Sequence, residues 1–163
     1  MKIHAALICL MASLFSGCAW FDFATLENDS VPATVTSTDQ AMQQFLAGRD
    51  LDKVEGAWEH DDNAFEMVIA RNDFDIAAGY DYVGVITRSQ ESDWEHGDVK
   101  VLLRNTDTAN VYDGVWMTRY KSAKKMTFVV EHDNLIQASY LSNGGNSNFV
   151  RIRRINPRLA SMQ

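Results

Sequence analysis

The stretch that decides the fold is KMTFVVEHDNLIQASYL, residues 125–141. Met126, Phe128 and Val130 alternate with Thr127, Val129 and Glu131, which is typical of a strand with one buried face. Asp133-Asn134 supplies a tight turn, and a second apolar run of strand length follows it. The stretch therefore predicts two neighbouring antiparallel strands.

The same pattern of short apolar runs and polar turns extends in both directions from this pair. Eight strands are predicted, near residues 53–60, 64–71, 80–88, 98–105, 111–120, 125–132, 135–141 and 148–155. No helical segment separates them, so the connections are too short for parallel crossovers and neighbouring strands should be antiparallel. The predicted fold class is mainly β: an up-and-down β-barrel of eight antiparallel strands, with a flattened sandwich as the alternative.

One short helix is predicted before the first strand. Ser37-Thr38-Asp39-Gln40 has the form of a capping box, and Ala41, Met42, Phe45 and Leu46 follow at helical spacing. Gly48 then ends the pattern. We expect a helix of about ten residues that covers part of the core.

The tripeptide Gly56-Ala57-Trp58, at the start of the first strand, resembles the Gly-x-Trp signature of lipocalins and related calycin barrels. The resemblance implies that Trp58 closes the barrel floor and that an arginine late in the chain lies over it. Arg154 is the favoured candidate because it shares a strand face with Val150 and Ile152. Gly56, Trp58 and Arg154 are thus the candidate barrel-closing residues.

The resemblance covers only the tripeptide, the strand count and the preceding helix, and no second motif of the Thr-Asp-Tyr kind is found. Gly114-Val115-Trp116 repeats the tripeptide in the fifth predicted strand. This repeat indicates either two related halves of four strands or a glycine that allows close packing.

The first 18 residues predict export and lipidation. A basic tip at Lys2 and an apolar core over residues 5–15 form a signal sequence too short to span a bilayer. The run Leu14-Phe15-Ser16-Gly17-Cys18 resembles the processing site of bacterial lipoproteins, which implies a lipid anchor on Cys18. Ala19, where that family uses aspartate for retention at the inner membrane, implies the outer membrane.

Composition and charge limit the remaining possibilities. We expect a signal peptide over residues 1–17, a lipidated flexible tether over 18–36 and one β-barrel domain over 37–163. The sequence has 15 basic and 22 acidic residues and a net charge of −7. This balance argues against nucleic-acid binding, which needs a basic surface.

No constellation in the sequence predicts catalysis, a metal site or a cofactor. The acidic segment with Glu91, Asp93, Glu95, His96 and Asp98 lacks the spacing of a calcium loop and is interpreted as solvated turns. His132-Asp133 with Ser139 is not accompanied by a nucleophile elbow. A basic cluster, formed by Arg119, Lys121, Lys124 and Lys125, suits either an acidic partner or a soluble turn.

Two functions therefore compete at this level. The first is an envelope lipoprotein that acts as a structural or protein-interaction module, and the second is a barrel that binds a small apolar or amphipathic ligand. Large residues expected to point inward favour a filled interior and hence the first: Trp58, Phe65, Met67, Trp116, Met126 and Phe128. An envelope enzyme is a distant third.

Overall fold

The computed structural model describes residues 36–73, 76–141 and 147–155, without the side chains of residues 141 and 147–149. The predicted signal peptide, the predicted lipidation site Cys18 and nearly all of the predicted tether lie outside the described residues.

The predicted helix is present as α1, Thr38–Leu46. Its N-cap is Ser37, whose hydroxyl accepts a hydrogen bond from the backbone N–H of Gln40 at 3.2 Å. The Gln40 side chain reaches back to the N–H of Thr36 at 3.1 Å, one residue before the position of a standard capping box. The helix ends before Gly48, whose φ of +77° glycine adopts without strain.

The eight predicted strands are confirmed, and they close into a barrel in which each strand is antiparallel to its neighbours. The strands are β1 (Gly56–His60), β2 (Phe65–Arg71), β3 (Tyr82–Ser89), β4 (Val99–Asn105), β5 (Val111–Met117), β6 (Ala123–Glu131), β7 (Leu135–Leu141) and β8 (Ser147–Arg154). Pairing of β1 with β8 joins the two edges, so the sandwich alternative is excluded. Closure gives each of the eight described strands two paired neighbours.

The antiparallel order defines two ends of the barrel. At the upper end, β1 connects to β2, β3 to β4, β5 to β6 and β7 to β8. At the lower end lie the other connections, the start of β1 and the end of β8. Helix α1 runs downward along the outside: Thr38 bonds Glu66 and Thr87 in the upper half, and Arg49 bonds Glu55 at the lower end.

Large apolar side chains fill the barrel interior. All six residues expected to point inward are buried and belong to one interior cluster. The largest interior side chains that are less than 2% exposed are Trp58, Phe128, Met67, Ile69, Ile86, Leu103, Ile136 and Ile152. An eight-stranded barrel is just wide enough to be filled in this way.

Two smaller apolar clusters lie on the outside of the barrel. Ala41 and Leu46 of α1 pack on Ala57, Val68 and Ala70 of β1 and β2. The second cluster joins the connection between β2 and β3 to strands β3–β5, and consists of Ile76, Ala77, Val83, Val85, Val99, Leu102 and Val115. These strands are therefore covered on both faces, which explains why their sequences do not alternate cleanly.

Candidate functional site

The most unusual group in the described structure is a buried lysine at the upper end of the barrel. Lys100 is only 3% exposed. Its ammonium group lies 3.8 Å from the ring centre of Trp94, 4.7 Å from that of Phe65 and 5.1 Å from that of Trp116. Three aromatic faces thus stabilise the cation through cation–π contacts. We call Lys100 and these three rings the lysine cage.

A β-bulge places Lys100 inside the barrel. In the β3–β4 ladder Gly84 pairs with Val101 and Val85 pairs with Val99, so Lys100 has no partner residue. Val99 packs in the outer cluster and Val101 in the interior cluster, and Lys100 joins the interior aromatic side chains. A bulge re-aims a side chain in this way, because it interrupts the alternation of the strand.

Trp94 is brought over the lysine by the connection between β3 and β4. Asp98, which is buried, accepts a hydrogen bond from the N–H of Glu95 at 2.8 Å and pairs with the ammonium group of Lys121. Lys121 also lies 3.8 Å from the Trp94 ring centre, so two cations contact this indole. Asp98 is therefore a structural anchor of the connection, and its interpretation as part of a solvated turn was wrong.

The electrostatics of Lys100 follow from its burial. Desolvation lowers the pKa of Lys100 to about 8, nearby Glu91 opposes this change and Lys121 adds to it. Within the described part of the chain, no carboxylate lies within ion-pair distance of the Lys100 ammonium group. The indole N–H of Trp94 is also buried and has no hydrogen-bond partner in the described structure. In the lysine cage, the Trp94 N–H is thus a fully buried donor without an acceptor, and Lys100 is a cation without a carboxylate partner among the described residues.

Aromatic and cationic groups continue around the upper end. The His60 ring lies 5.0 Å from that of Phe65, and its Nδ1 contacts Asp62 at 2.5 Å. The Lys124 ammonium group lies 3.2 Å from the ring centre of Tyr140. Two members of the predicted basic cluster therefore have partners: Lys121 pairs with Asp98, and Lys124 contacts the ring of Tyr140.

The three residues selected from the sequence, Gly56, Trp58 and Arg154, lie together at the lower end. The guanidinium carbon of Arg154 lies 4.3 Å from the ring centre of Trp58, and the Trp58 indole donates to the carbonyl of Val54 at 2.9 Å. Arg154 also donates to the carbonyls of Lys53, Glu55 and Asp133. A Cβ on Gly56, whose φ is +145°, would lie 2.3 Å from this guanidinium group, so both space and conformation require glycine.

A buried carboxylate supports the same end. Glu55 is fully buried and accepts hydrogen bonds from Arg49 at 2.5 Å and from the backbone N–H groups of Asp52 and Arg71 at 2.9 and 3.0 Å. A buried charge with this many partners is a structural link, because its desolvation is offset by donors on every side. It ties the segment after α1 to the barrel floor.

The remaining sequence candidates do not converge on a reactive site. His132 lies in the β6–β7 turn at the lower end, whereas Ser139 lies four residues beyond Leu135, toward the upper end. Among the described residues, no three histidine, cysteine, aspartate or glutamate side chains form a group that can hold a metal ion. None of the described helices has the length and apolar character needed to cross a membrane.

The repeated tripeptide has different surroundings in its two copies. A Cβ on Gly114 would lie 2.2 Å from the backbone oxygen of Leu102 and 2.9 Å from the Leu103 side chain, so this glycine permits close packing. Trp116 lies at the upper end in the lysine cage, whereas Trp58 lies at the lower end.

Comparisons with known proteins add no family assignment. A scan against protein-family models and searches of the curated proteins and of the solved structures found no match.

Sequence reasoning did not select Lys100. A single lysine within the apolar run Asp98-Val99-Lys100-Val101-Leu102-Leu103 was the available signal. In a strand that alternates regularly, Val101 and Leu103 would point into the barrel and Lys100 would point to the outer face. Only the bulge turns the Lys100 side chain into the barrel.

Proposed function

We propose that this protein is an envelope lipoprotein, held at the outer membrane through lipid on Cys18, whose barrel acts as a structural or protein-interaction module. The anchor rests on the processing-site sequence before Cys18 and on its preceding apolar core. Two or more acyl chains hold a protein stably at a membrane, whereas one chain binds marginally.

The filled interior is the observation that carries the module part of the proposal. Trp58, Met67 and Phe128 are each less than 2% exposed, and they occupy the space that a ligand needs in a carrier barrel. Arg154 seals the lower end through three carbonyls. A small apolar ligand would have to displace these side chains, so the outer surface and the barrel ends are the available binding surfaces.

The anchor is tested with Cys18→Ala. The variant should lose palmitate labelling and leave the membrane fraction, because the thioether that carries the lipid cannot form. A variant that remains in the membrane fraction after carbonate extraction would contradict the anchor.

The module is tested by photo-crosslinking in living cells. A photoreactive phenylalanine analogue replaces Tyr120 at the upper end in one strain and Leu51 at the lower end in another, since both side chains are exposed. We expect one of these positions to capture a defined envelope protein and the other to serve as its control. Absence of capture at both, together with a stoichiometric small molecule in native mass spectra of the purified full chain, would favour the carrier function instead.

A further inference from the structure

The lysine cage combines a cation that has no carboxylate partner in the described structure with a fully buried indole N–H that lacks an acceptor. Lys121, the other cation on Trp94, is paired with Asp98, but Lys100 has no carboxylate at ion-pair distance in the described structure. The indole N–H of Trp94 is buried without a partner. Buried polar groups in proteins are nearly always satisfied, so the Trp94 N–H is expected to find an acceptor from outside these residues, and the adjacent Lys100 cation favours an anionic one.

The chemistry of the missing acceptor follows from these two donors. An ammonium group and an indole N–H both donate and neither accepts, which excludes a donor ligand. Glu91 acts on the Lys100 charge only from beyond ion-pair distance, so a group with one negative charge can still pair directly with the ammonium group. A carboxylate satisfies both conditions, and its hydrogen bonds to a cation are strengthened where water is excluded.

The space below the lysine cage limits the size of that group. The rings of Phe65 and Trp116 are 5.9 Å apart, and those of Trp116 and Phe128 are 6.5 Å apart, so aromatic packing continues downward into the barrel. A carboxylate can therefore enter only as the tip of a molecule whose remainder stays outside. A long apolar tail has no place to follow it.

The surface around the upper end suits a polypeptide. Partly buried apolar residues pack against the interior cluster there, namely Ala64, Met117 and Tyr140. Tyr120 projects from the β5–β6 connection with 75% of its surface exposed and with the Arg119 guanidinium group 4.7 Å from its ring centre. Exposed tyrosine and arginine are the residue types enriched at protein interfaces.

We infer that the upper end is the docking surface of this module, and that its partner is a polypeptide that places a carboxylate, from its C-terminus or from an aspartate or glutamate, against Lys100 and Trp94. The inference rests on the proposed module function and specifies its partner. Trp94 covers Lys100, so the connection that carries it has to shift when the carboxylate enters.

The test measures the Trp94 indole N–H signal by nuclear magnetic resonance on the purified full chain in detergent. Trp94→Phe assigns the signal. The probe is N-acetylglycine, which carries a peptide C-terminal carboxylate, and the matched control is N-acetylglycinamide, which lacks the charge. We expect a saturable downfield shift with the acid and at least tenfold weaker binding of the amide.

Two variants with equal change in net charge complete the design. Lys100→Met should abolish the response to the acid, whereas Lys53→Met, at the exposed lower end, should retain it within about twofold. Equal binding of acid and amide by the wild-type protein would overturn the inference even if Lys100→Met failed to fold. Binding of hexanoate at least tenfold tighter than N-acetylglycine would overturn the polypeptide partner in favour of a small amphipathic acid.

The outcomes separate this inference from the proposed function. Crosslinking capture without a carboxylate response retains the module and removes the docking site. A carboxylate response without any captured envelope protein retains the site and removes the module.

Discussion

Arg154→Ala is expected to destabilise the protein more than the same substitution at the neighbouring Arg153. The guanidinium group donates to three backbone carbonyls and lies 4.3 Å from the Trp58 ring centre. Hydrogen bonds from this partly buried cation contribute about 1 kcal/mol each, and the cation–π contact adds about 0.5–1 kcal/mol. The free energy of unfolding should therefore fall by about 3–4 kcal/mol.

The neighbouring residue provides the matched control. The Arg153 side chain is 58% exposed and forms an ion pair with Asp61 at 2.9 Å. Exposed pairs of this kind contribute at most about 1 kcal/mol. Arg153→Ala should therefore stay within about 1 kcal/mol of the wild type, although it removes the same charge from the same strand.

The assay is urea unfolding followed by circular dichroism on the full chain in a fixed detergent, with the wild type and all three variants measured in parallel. Arg154→Lys should recover only a small part of the loss, because one ammonium group cannot span the three carbonyls that the planar guanidinium reaches. A loss below about 1 kcal/mol for Arg154→Ala, or equal losses for the two alanine variants, would refute the assigned role of Arg154 as the seal of the barrel floor.

Three further predictions concern charge and packing. Burial lowers the Lys100 pKa to about 8 in the native state, whereas the ordinary value in the unfolded chain is 10.5. Between these two values the unfolded chain binds more protons than the native state, so the free energy of unfolding should rise by about 1–2 kcal/mol from pH 8 to 9.5. Parallel urea curves of wild type and Lys100→Met test this, and an unchanged difference across that pH range would argue against it. Glu55→Gln should cost about 3 kcal/mol in chemical unfolding, since Arg49 loses its buried charge partner; a change under 1 kcal/mol would show that the carboxylate charge is dispensable. Gly114→Ala should lower the melting temperature more than Gly48→Ala. A Cβ at Gly48 would meet nothing within 4 Å, so that substitution adds only the strain of a positive φ. The opposite order of melting temperatures would contradict the close packing of β4 on β5.

The sequence was sufficient to predict the fold because its signals are local. Alternation over residues 125–131 and the turn at Asp133-Asn134 depend only on neighbours in the chain, and the structure has strands β6 and β7 at these positions with positive φ at His132 and Asp133. Strand boundaries were less accurate: β5 ends at Met117 rather than near Tyr120. The reason is a turn closed by the Thr118 N–H, which donates to the Ser122 carbonyl at 2.9 Å.

The two ends of the barrel differ in how far they could be predicted. Gly56, Trp58 and Arg154 were selected in advance because a short motif and one strand face point to them. Lys100 was not selected, because its inward position depends on a bulge opposite Gly84 and Val85 in the neighbouring strand β3.

What the sequence by itself determined is the order of elements: one capped helix, then strands and turns at spacings that permit only antiparallel neighbours. Only the tertiary structure decided that the barrel closes, and which way side chains point where a strand is irregular. Pairing of β1 with β8 joins residues almost a hundred positions apart, and the bulge moves a lysine from the expected outer face into an aromatic cage. Both depend on contacts between distant segments, which local residue patterns do not encode.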